Sequence, residues 1–260
     1  MISKSLSVND EVFSIPGATA FQFSGVQIGD QTLGASEYTL ASLVWDVSGS
    51  VSPYAKDLDK CLKECVEGCR KSPRADNLML RVLTFNHSLQ EMFGFKELKD
   101  IDPKTFKNLR PGGTTALFDA AYNGIAATLE YSKKLIQKFY SCNGVVFVMT
   151  DGDDNASSMT RKQIKTLIES AHQQEIIDSL ITILIRIEDP TADPNVQKDI
   201  KKYLDDFHKQ CGFDAFVDMG NVTPQRLAKL AQFVSQSVSS ASQNLQQQSG
   251  TKSVPIAPTF

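Results

Sequence analysis

Residues 144–151, GVVFVMTD, form an almost uninterrupted apolar run that ends in a polar pair. Residues 180–187, LITILIRI, repeat this pattern. Continuous apolar runs of this length, without alternation of apolar and polar residues, are typical of strands that helices cover on both faces. The two stretches therefore predict central strands of a parallel sheet.

Strand-like apolar runs alternate with amphipathic helical runs along most of the chain. This order predicts an α/β fold with a doubly wound, mostly parallel central sheet and helices on both faces. Further strands are predicted at residues 21–28, 38–47, 78–85 and 215–218, and helices at 53–71, 116–138, 160–178, 194–210 and 224–246. Gly29-Asp30 favours a hairpin turn between the first two strand-like runs. That turn would give the sheet an antiparallel edge strand and an N-terminal hairpin.

The pattern predicts one domain with two extensions. Residues 1–37 would form an N-terminal extension with an edge strand packed on the sheet, and residues 38–246 the α/β domain. Residues 247–260 follow a Ser- and Gln-rich stretch, include two prolines, and are predicted to be a disordered tail.

The composition argues against nucleic acid and lipid membranes as partners. The 27 basic and 30 acidic residues give a net charge of -3, so there is no basic excess to attract nucleic acid or anionic lipid. No stretch approaches the roughly 18 apolar residues that a membrane-spanning helix needs. The first residues also lack an apolar core before a small-residue cleavage site. We therefore expect a cytoplasmic protein.

Three cysteines are spaced by four residues in YAKDLDKCLKECVEGC, residues 54–69. A metal or redox cluster is one interpretation of Cys61, Cys65 and Cys69. The same spacing places them with leucines on one helical stripe, which favours buried core residues instead. The three histidines of the chain show no ligand spacing, and we expect them at the surface or at helix ends.

Three loops after predicted strands or turns are rich in oxygen ligands: DVSGS at 46–50, GGTTAL at 112–117 and MTDG at 149–152. Ligands of an open parallel sheet bind beyond the carboxyl ends of its strands, where such loops meet. Together the loops offer two carboxylates, two serine hydroxyls and a threonine hydroxyl. This set suits Mg²⁺, with Mn²⁺ or Ca²⁺ as substitutes, and disfavours zinc and copper.

The three motifs, in this order, resemble the von Willebrand factor A-type (vWA) domain with its metal-ion-dependent adhesion site (MIDAS). The resemblance covers roughly residues 38–235 and implies a Rossmann-like vWA fold. It implies that Ser48 and Ser50 ligate the metal directly, while Asp46 and Asp151 bind it or hold its waters. Thr115 is preferred to Thr114 as the threonine ligand because it aligns better with the helix that follows.

The resemblance also implies a function without catalysis. An Asp or Glu of a protein partner would complete the coordination of the ion, as in stand-alone cytoplasmic members that serve as accessory or scaffold factors. The alternative is an Mg²⁺-dependent, phosphatase-like hydrolase with Asp46 as nucleophile. Such enzymes need a second carboxylate two residues later, where this chain has Ser48. A scaffold whose metal site has decayed is a third possibility.

Overall fold

The computed structural model describes residues 10–15, 21–28, 33–173, 177–189 and 191–246. Eight strands form one sheet. They are β1 (Asp10–Ser14), β2 (Gln22–Val26), β3 (Glu37–Asp46), β4 (Leu78–Phe85), β5 (Leu89–Glu97), β6 (Ser141–Thr150), β7 (Ser179–Glu188) and β8 (Ala215–Asn221). The predicted tail, residues 247–260, lies outside the described residues, and the domain boundaries stay a prediction.

The sheet has the order β1-β2-β5-β4-β3-β6-β7-β8. Strands β4, β3, β6, β7 and β8 run parallel to their neighbours in this part of the sheet. Every residue of β4 is buried, as is every residue of β3 after the first. The α/β prediction with a mostly parallel central sheet is therefore confirmed.

Five helices cover the two faces: α1 (Ala55–Arg70), α2 (Leu117–Gln137), α3 (Arg161–Gln173), α4 (Pro194–Cys211) and α5 (Pro224–Gln246). Apolar residues of α1 and α5 share a core cluster with one face of the sheet. Those of α2, α3 and α4 share a cluster with the other face. Each helix lies within a few residues of its predicted position; for α3 the description runs to Gln173, residues 174–176 lie outside the described residues, and the predicted last residues 177 and 178 are not helical.

The antiparallel edge is present, but the predicted pairing is wrong in one respect. Strand β2 pairs antiparallel with β1 and parallel with β5, not with β3. Both edges of β3 are occupied by β4 and β6, so no edge of β3 is free for β2. The predicted turn at Gly29-Asp30 lies outside the described residues.

The sequence did not predict β5, which runs antiparallel to β4. Its pairing with β4 contains two register shifts, one between Leu80 and Val82 and one between Val82 and Leu83. Such bulges interrupt the alternation of side chains between the two faces of a strand. The period-of-two signal that identifies a strand is therefore absent from this segment.

All five cysteines are free thiols and buried. Cys61, Cys65 and Cys69 lie on the face of α1 that packs on the sheet, and burial raises the pKa of the Cys69 thiol to about 12. Thiols of this kind are core residues and not reactive groups. The interpretation of the stripe as core is confirmed.

The turn after α2 holds a bulky residue in an unfavourable backbone conformation. Phe139 has φ 66° and is 97% exposed, in a position after a helix that usually favours glycine. Since the ring packs on little, Phe139→Gly should raise the free energy of unfolding by about 1 kcal/mol. Chemical denaturation measures this change, and a loss of stability would show that the ring makes a favourable contact.

None of the helices in the described ranges is long and apolar enough to cross a membrane. The cytoplasmic location stays a prediction.

Candidate metal centre

Strand register places the predicted loops at one edge of the sheet. Asp46, the last residue of β3, pairs with Phe85 at the end of β4, and its neighbour Trp45 pairs with Met149 in β6. Because these strands are parallel and in register, Asp46 at the end of β3 and Asp151 directly after β6 lie side by side. Trp45 is fully buried in the core and does not form part of a contact surface.

Four of the five predicted ligands form one hydrogen-bonded group. The hydroxyl oxygens of Ser48 and Ser50 are 3.1 Å apart, and the Ser50 hydroxyl donates to Asp151 Oδ1 at 2.8 Å. The backbone N–H of Ser48 donates to Asp46 Oδ1 at 2.7 Å. The sequence therefore identified a real cluster of oxygen atoms.

The loop that carries Thr115 lies beside this group. Backbone hydrogen bonds join Gly49 to Gly113 at 3.0 Å and Gly112 to Val47 at 2.9 Å. Thr115 is held by Asn155, whose side chain accepts from the Thr115 N–H at 2.7 Å. Within the described part of the chain the Thr115 hydroxyl makes no hydrogen bond to the other four residues. Its role as a ligand stays a prediction, although Thr115 is buried and Thr114 is exposed.

Gly113 is the one position in this loop where glycine is required. Its φ of 79° lies in the left-handed region, and a Cβ atom there would meet His87 Nδ1 at 2.3 Å. A larger residue would therefore push the loop away from Gly49 and disturb the cluster.

Two further residues, which the sequence did not reveal, hold the carboxylates. The Thr150 hydroxyl donates to Asp46 Oδ2 at 2.6 Å, and the Tyr54 hydroxyl donates to Asp151 Oδ2. Thr150 directly precedes Asp151 in the motif, so its position was a usable signal. Tyr54 lies directly before α1, and nothing in the sequence indicates which way its ring points.

The site brings two carboxylates together, and among the described residues no basic side chain pairs with either. Asp46 is fully buried and Asp151 is 3% exposed. Burial, and then the charge of Asp151, raises the pKa of Asp46 to about 7, and burial also raises the pKa of Asp151. No ion pair involves either carboxylate in the part of the chain that the structure describes. A cation bound to these oxygens would stabilise the ionised carboxylates and lower the pKa of both Asp46 and Asp151.

The donor set fits a hard divalent cation. Among the described residues no group of three or more His, Cys, Asp or Glu side chains could hold a metal ion, so any site here depends on hydroxyl oxygens as well. Two carboxylates with serine hydroxyls form an oxygen-only set, the chemistry that Mg²⁺ prefers. Of the five candidate ligands only Ser50 is exposed, with exposed Gly49 beside it in the same loop, so the cluster reaches the protein surface at Ser50.

Neither a family model nor a curated protein matches this sequence. Several solved structures have a similar fold. The PilB minor pilin from Streptococcus sanguinis gives a TM-score of 0.56 at 14% identity, over 85% of this chain and 65% of that one. The pilus adhesin SpaC from Lactobacillus rhamnosus GG gives 0.52 at 9% identity, over 84% and 31%. Proximal thread matrix protein 1 from the mussel byssus, with a zinc-occupied MIDAS motif, gives 0.44 at 16% identity, over 80% and 46%.

At these identities the likeness shows the fold alone, and the byssus protein scores too low to support an argument. The chain spans just under two thirds of the minor pilin and about a third of the pilus adhesin. Membership of the vWA family therefore stays a prediction from the sequence motifs. The comparisons and the strand order agree on one conclusion, which is that the chain has the α/β fold shared by these pilus proteins.

Proposed function

We propose that the chain is a metal-dependent protein-binding module of the vWA type. One observation carries the proposal. Two buried carboxylates, with no ion pair among the described residues, meet two serine hydroxyls, of which that of Ser50 belongs to an exposed residue. A divalent cation balances this charge, and a partner can approach it from the side of Ser50.

Mg²⁺ is the ion that suits the site best, and its ligands would come from Asp46, Ser48, Ser50, Thr115 and Asp151. When bound, the ion supplies a positive charge that can accept a carboxylate oxygen from an Asp or Glu of a protein partner. The chain's own residues position the ion: Thr150 orients Asp46, and Tyr54 orients Asp151. The overall negative charge of the protein is consistent with a protein partner and not nucleic acid.

The burial of Asp46 argues against the hydrolase alternative. A nucleophilic carboxylate must reach the substrate atom that it attacks. Asp46 is fully buried, and its two oxygens accept hydrogen bonds from Ser48 and Thr150. We therefore propose a binding role for the site and no catalytic one.

Calorimetric titration with Mg²⁺ tests the metal site directly. Ser48→Ala and Asp151→Ala should each weaken Mg²⁺ binding by at least tenfold, or about 1.4 kcal/mol, because each removes a ligand. Ser170→Ala is the matched control, since its hydroxyl bonds only to its own helix at the Leu167 carbonyl.

Pull-down with and without EDTA tests the partner. Association should depend on the metal and disappear in the Ser48→Ala variant. Failure of the intact protein to bind Mg²⁺ or Mn²⁺ at millimolar concentration would favour a decayed scaffold. Metal-dependent hydrolysis of a phosphate ester by the purified protein would overturn the binding role in favour of the hydrolase.

A further inference from the structure

A cleft of about 710 Å³ lies next to the metal centre, between strands β4 and β5 and the segment of residues 98–110. Its apolar walls include Met92 and Phe93 on one side and Ile101, Phe106 and Leu109 on the other. The rings of Phe93 and Phe106 are 5.3 Å apart. A volume of this size lies in the range of sites that bind ligand groups.

The irregular pairing of β5 builds one wall of the cleft. Leu83 pairs with Glu91 and Val82 with Phe93, so Met92 is an extra residue in β5. In a regular strand, Met92 and Phe93 would point to opposite faces. Here both line the cleft and pack on the same core cluster. Bulges that redirect side chains in this way are frequent beside functional sites.

The cleft continues into the loops of the metal centre. Val47, which follows Asp46, lines one end of the cleft, and its carbonyl accepts a hydrogen bond from Gly112. Asn86 also lines the cleft and donates to the Gly112 carbonyl at 2.7 Å. Arg110, two residues before Gly112, is exposed at the rim. A bound segment can therefore contact the cleft and the metal centre together.

The rim carries charges of both signs. Lys107 and Arg110 are exposed cations, whereas Asp100 and Asp102 are exposed anions in the same lining. A site for a small anion would have cations alone. Mixed charges around an apolar floor suit a polypeptide segment, which offers backbone dipoles, charged groups and apolar side chains along its length.

We propose that this cleft receives an apolar side chain from the same partner segment whose carboxylate reaches the metal centre. The inference rests on the proposed function and deepens it, because it gives the partner motif a second element. The partner would present an acidic residue and, a few residues away, a side chain that enters between Met92 and Leu109.

Synthetic peptides test this motif without knowledge of the natural partner. The probes are fluorescein-labelled octapeptides with one aspartate in a Gly/Ser background, in which a single leucine is moved through successive positions after the aspartate. Fluorescence anisotropy is measured with Mg²⁺ and with EDTA. At one or two positions leucine should strengthen Mg²⁺-dependent binding roughly tenfold over serine, the gain expected for burying that side chain. Leu109→Ser should abolish this discrimination, and Leu167→Ser, a half-buried leucine of α3, should preserve it.

Methyl NMR reports on the cleft independently of affinity. The chain has six methionines, and ¹³C-methyl labelling with a Met92→Leu variant assigns the signal of Met92. The best leucine peptide should shift the Met92 signal and leave that of Met219, in β8 at the far edge of the sheet, unchanged.

The outcomes separate the two proposals. Mg²⁺-dependent binding without leucine preference or a Met92 shift would overturn the cleft inference and leave the metal-dependent function standing. A Met92 shift that persists in EDTA would support the cleft and contradict the metal-dependent function. Absence of both binding and shift would overturn both.

Discussion

Asp46→Asn should make the metal-free protein more stable at neutral pH and abolish its response to Mg²⁺. Burial and the nearby charge of Asp151 raise the pKa of Asp46 to about 7 from an ordinary value of 3.8. The folded state therefore holds a proton that the unfolded chain releases, so stability falls as pH rises from about 4 to about 7. Asparagine has no charge to bury, and its carbonyl can still accept from the Ser48 N–H.

The expected gain is on the order of 4 kcal/mol in the free energy of unfolding at pH 8 in EDTA, as the size of the pKa shift implies. At pH 4 the variant and the wild type should differ much less. Mg²⁺ at about 100 times its dissociation constant should add roughly 2.7 kcal/mol to the wild type and nothing to the variant. Urea denaturation at the two pH values, with EDTA and with Mg²⁺, measures all of these quantities.

Asp153→Asn is the matched control, because Asp153 is an exposed carboxylate in the loop that contains Asp151. It should change stability by less than about 0.5 kcal/mol. Equal stability of Asp46→Asn and wild type in EDTA at pH 8 would contradict an unbalanced charge at the site. A full Mg²⁺ response in the variant would remove Asp46 from the ligand set.

Most of the candidate cluster could be predicted to lie together because strand ends in a parallel sheet meet at one edge; its role as a metal site stays a prediction. Asp46 and Asp151 each follow an apolar run, and register alone brings them together. Ser48 and Ser50 follow from their distance to Asp46 along the chain. The contribution of Tyr54 was not predictable, because it depends on where the segment directly before α1 places the ring in the folded chain and not on local pattern.

The difference between local pattern and packing also explains the errors in the predicted fold. The central strands are continuous apolar runs, and such runs can be recognised as buried strands from the sequence alone. Strand β5 has two irregularities in its pairing, and strand β2 joins the sheet through one residue pair, Gly25 with Phe95. Partner choice at the edge of the sheet depends on which strand has a free edge, and that property belongs to the assembled sheet and not to any short segment.

Glu91→Ala should destabilise the protein by about 4 kcal/mol, the loss expected when one partner of a buried ion pair is removed. Arg81 is fully buried, and its Nε donates to Glu91 Oε2 at 2.6 Å. Its Nη2 donates to Asn123 at 2.7 Å, so the variant would leave a cation with one neutral partner in the core. Glu91 Oε1 also accepts from the backbone and hydroxyl of Ser24, which ties β2 to the sheet.

Two comparisons separate the buried charge from the loss of a side chain. Glu64→Ala removes an exposed partner of Lys60 and should change stability by less than about 1 kcal/mol. The double variant Arg81→Met/Glu91→Leu removes both charges of the pair, so it should be more stable than Glu91→Ala alone. Chemical denaturation measures each variant. If the double variant is the less stable of the two, the Ser24 contacts or the shape of the core, and not the charge of Arg81, determine the effect of Glu91.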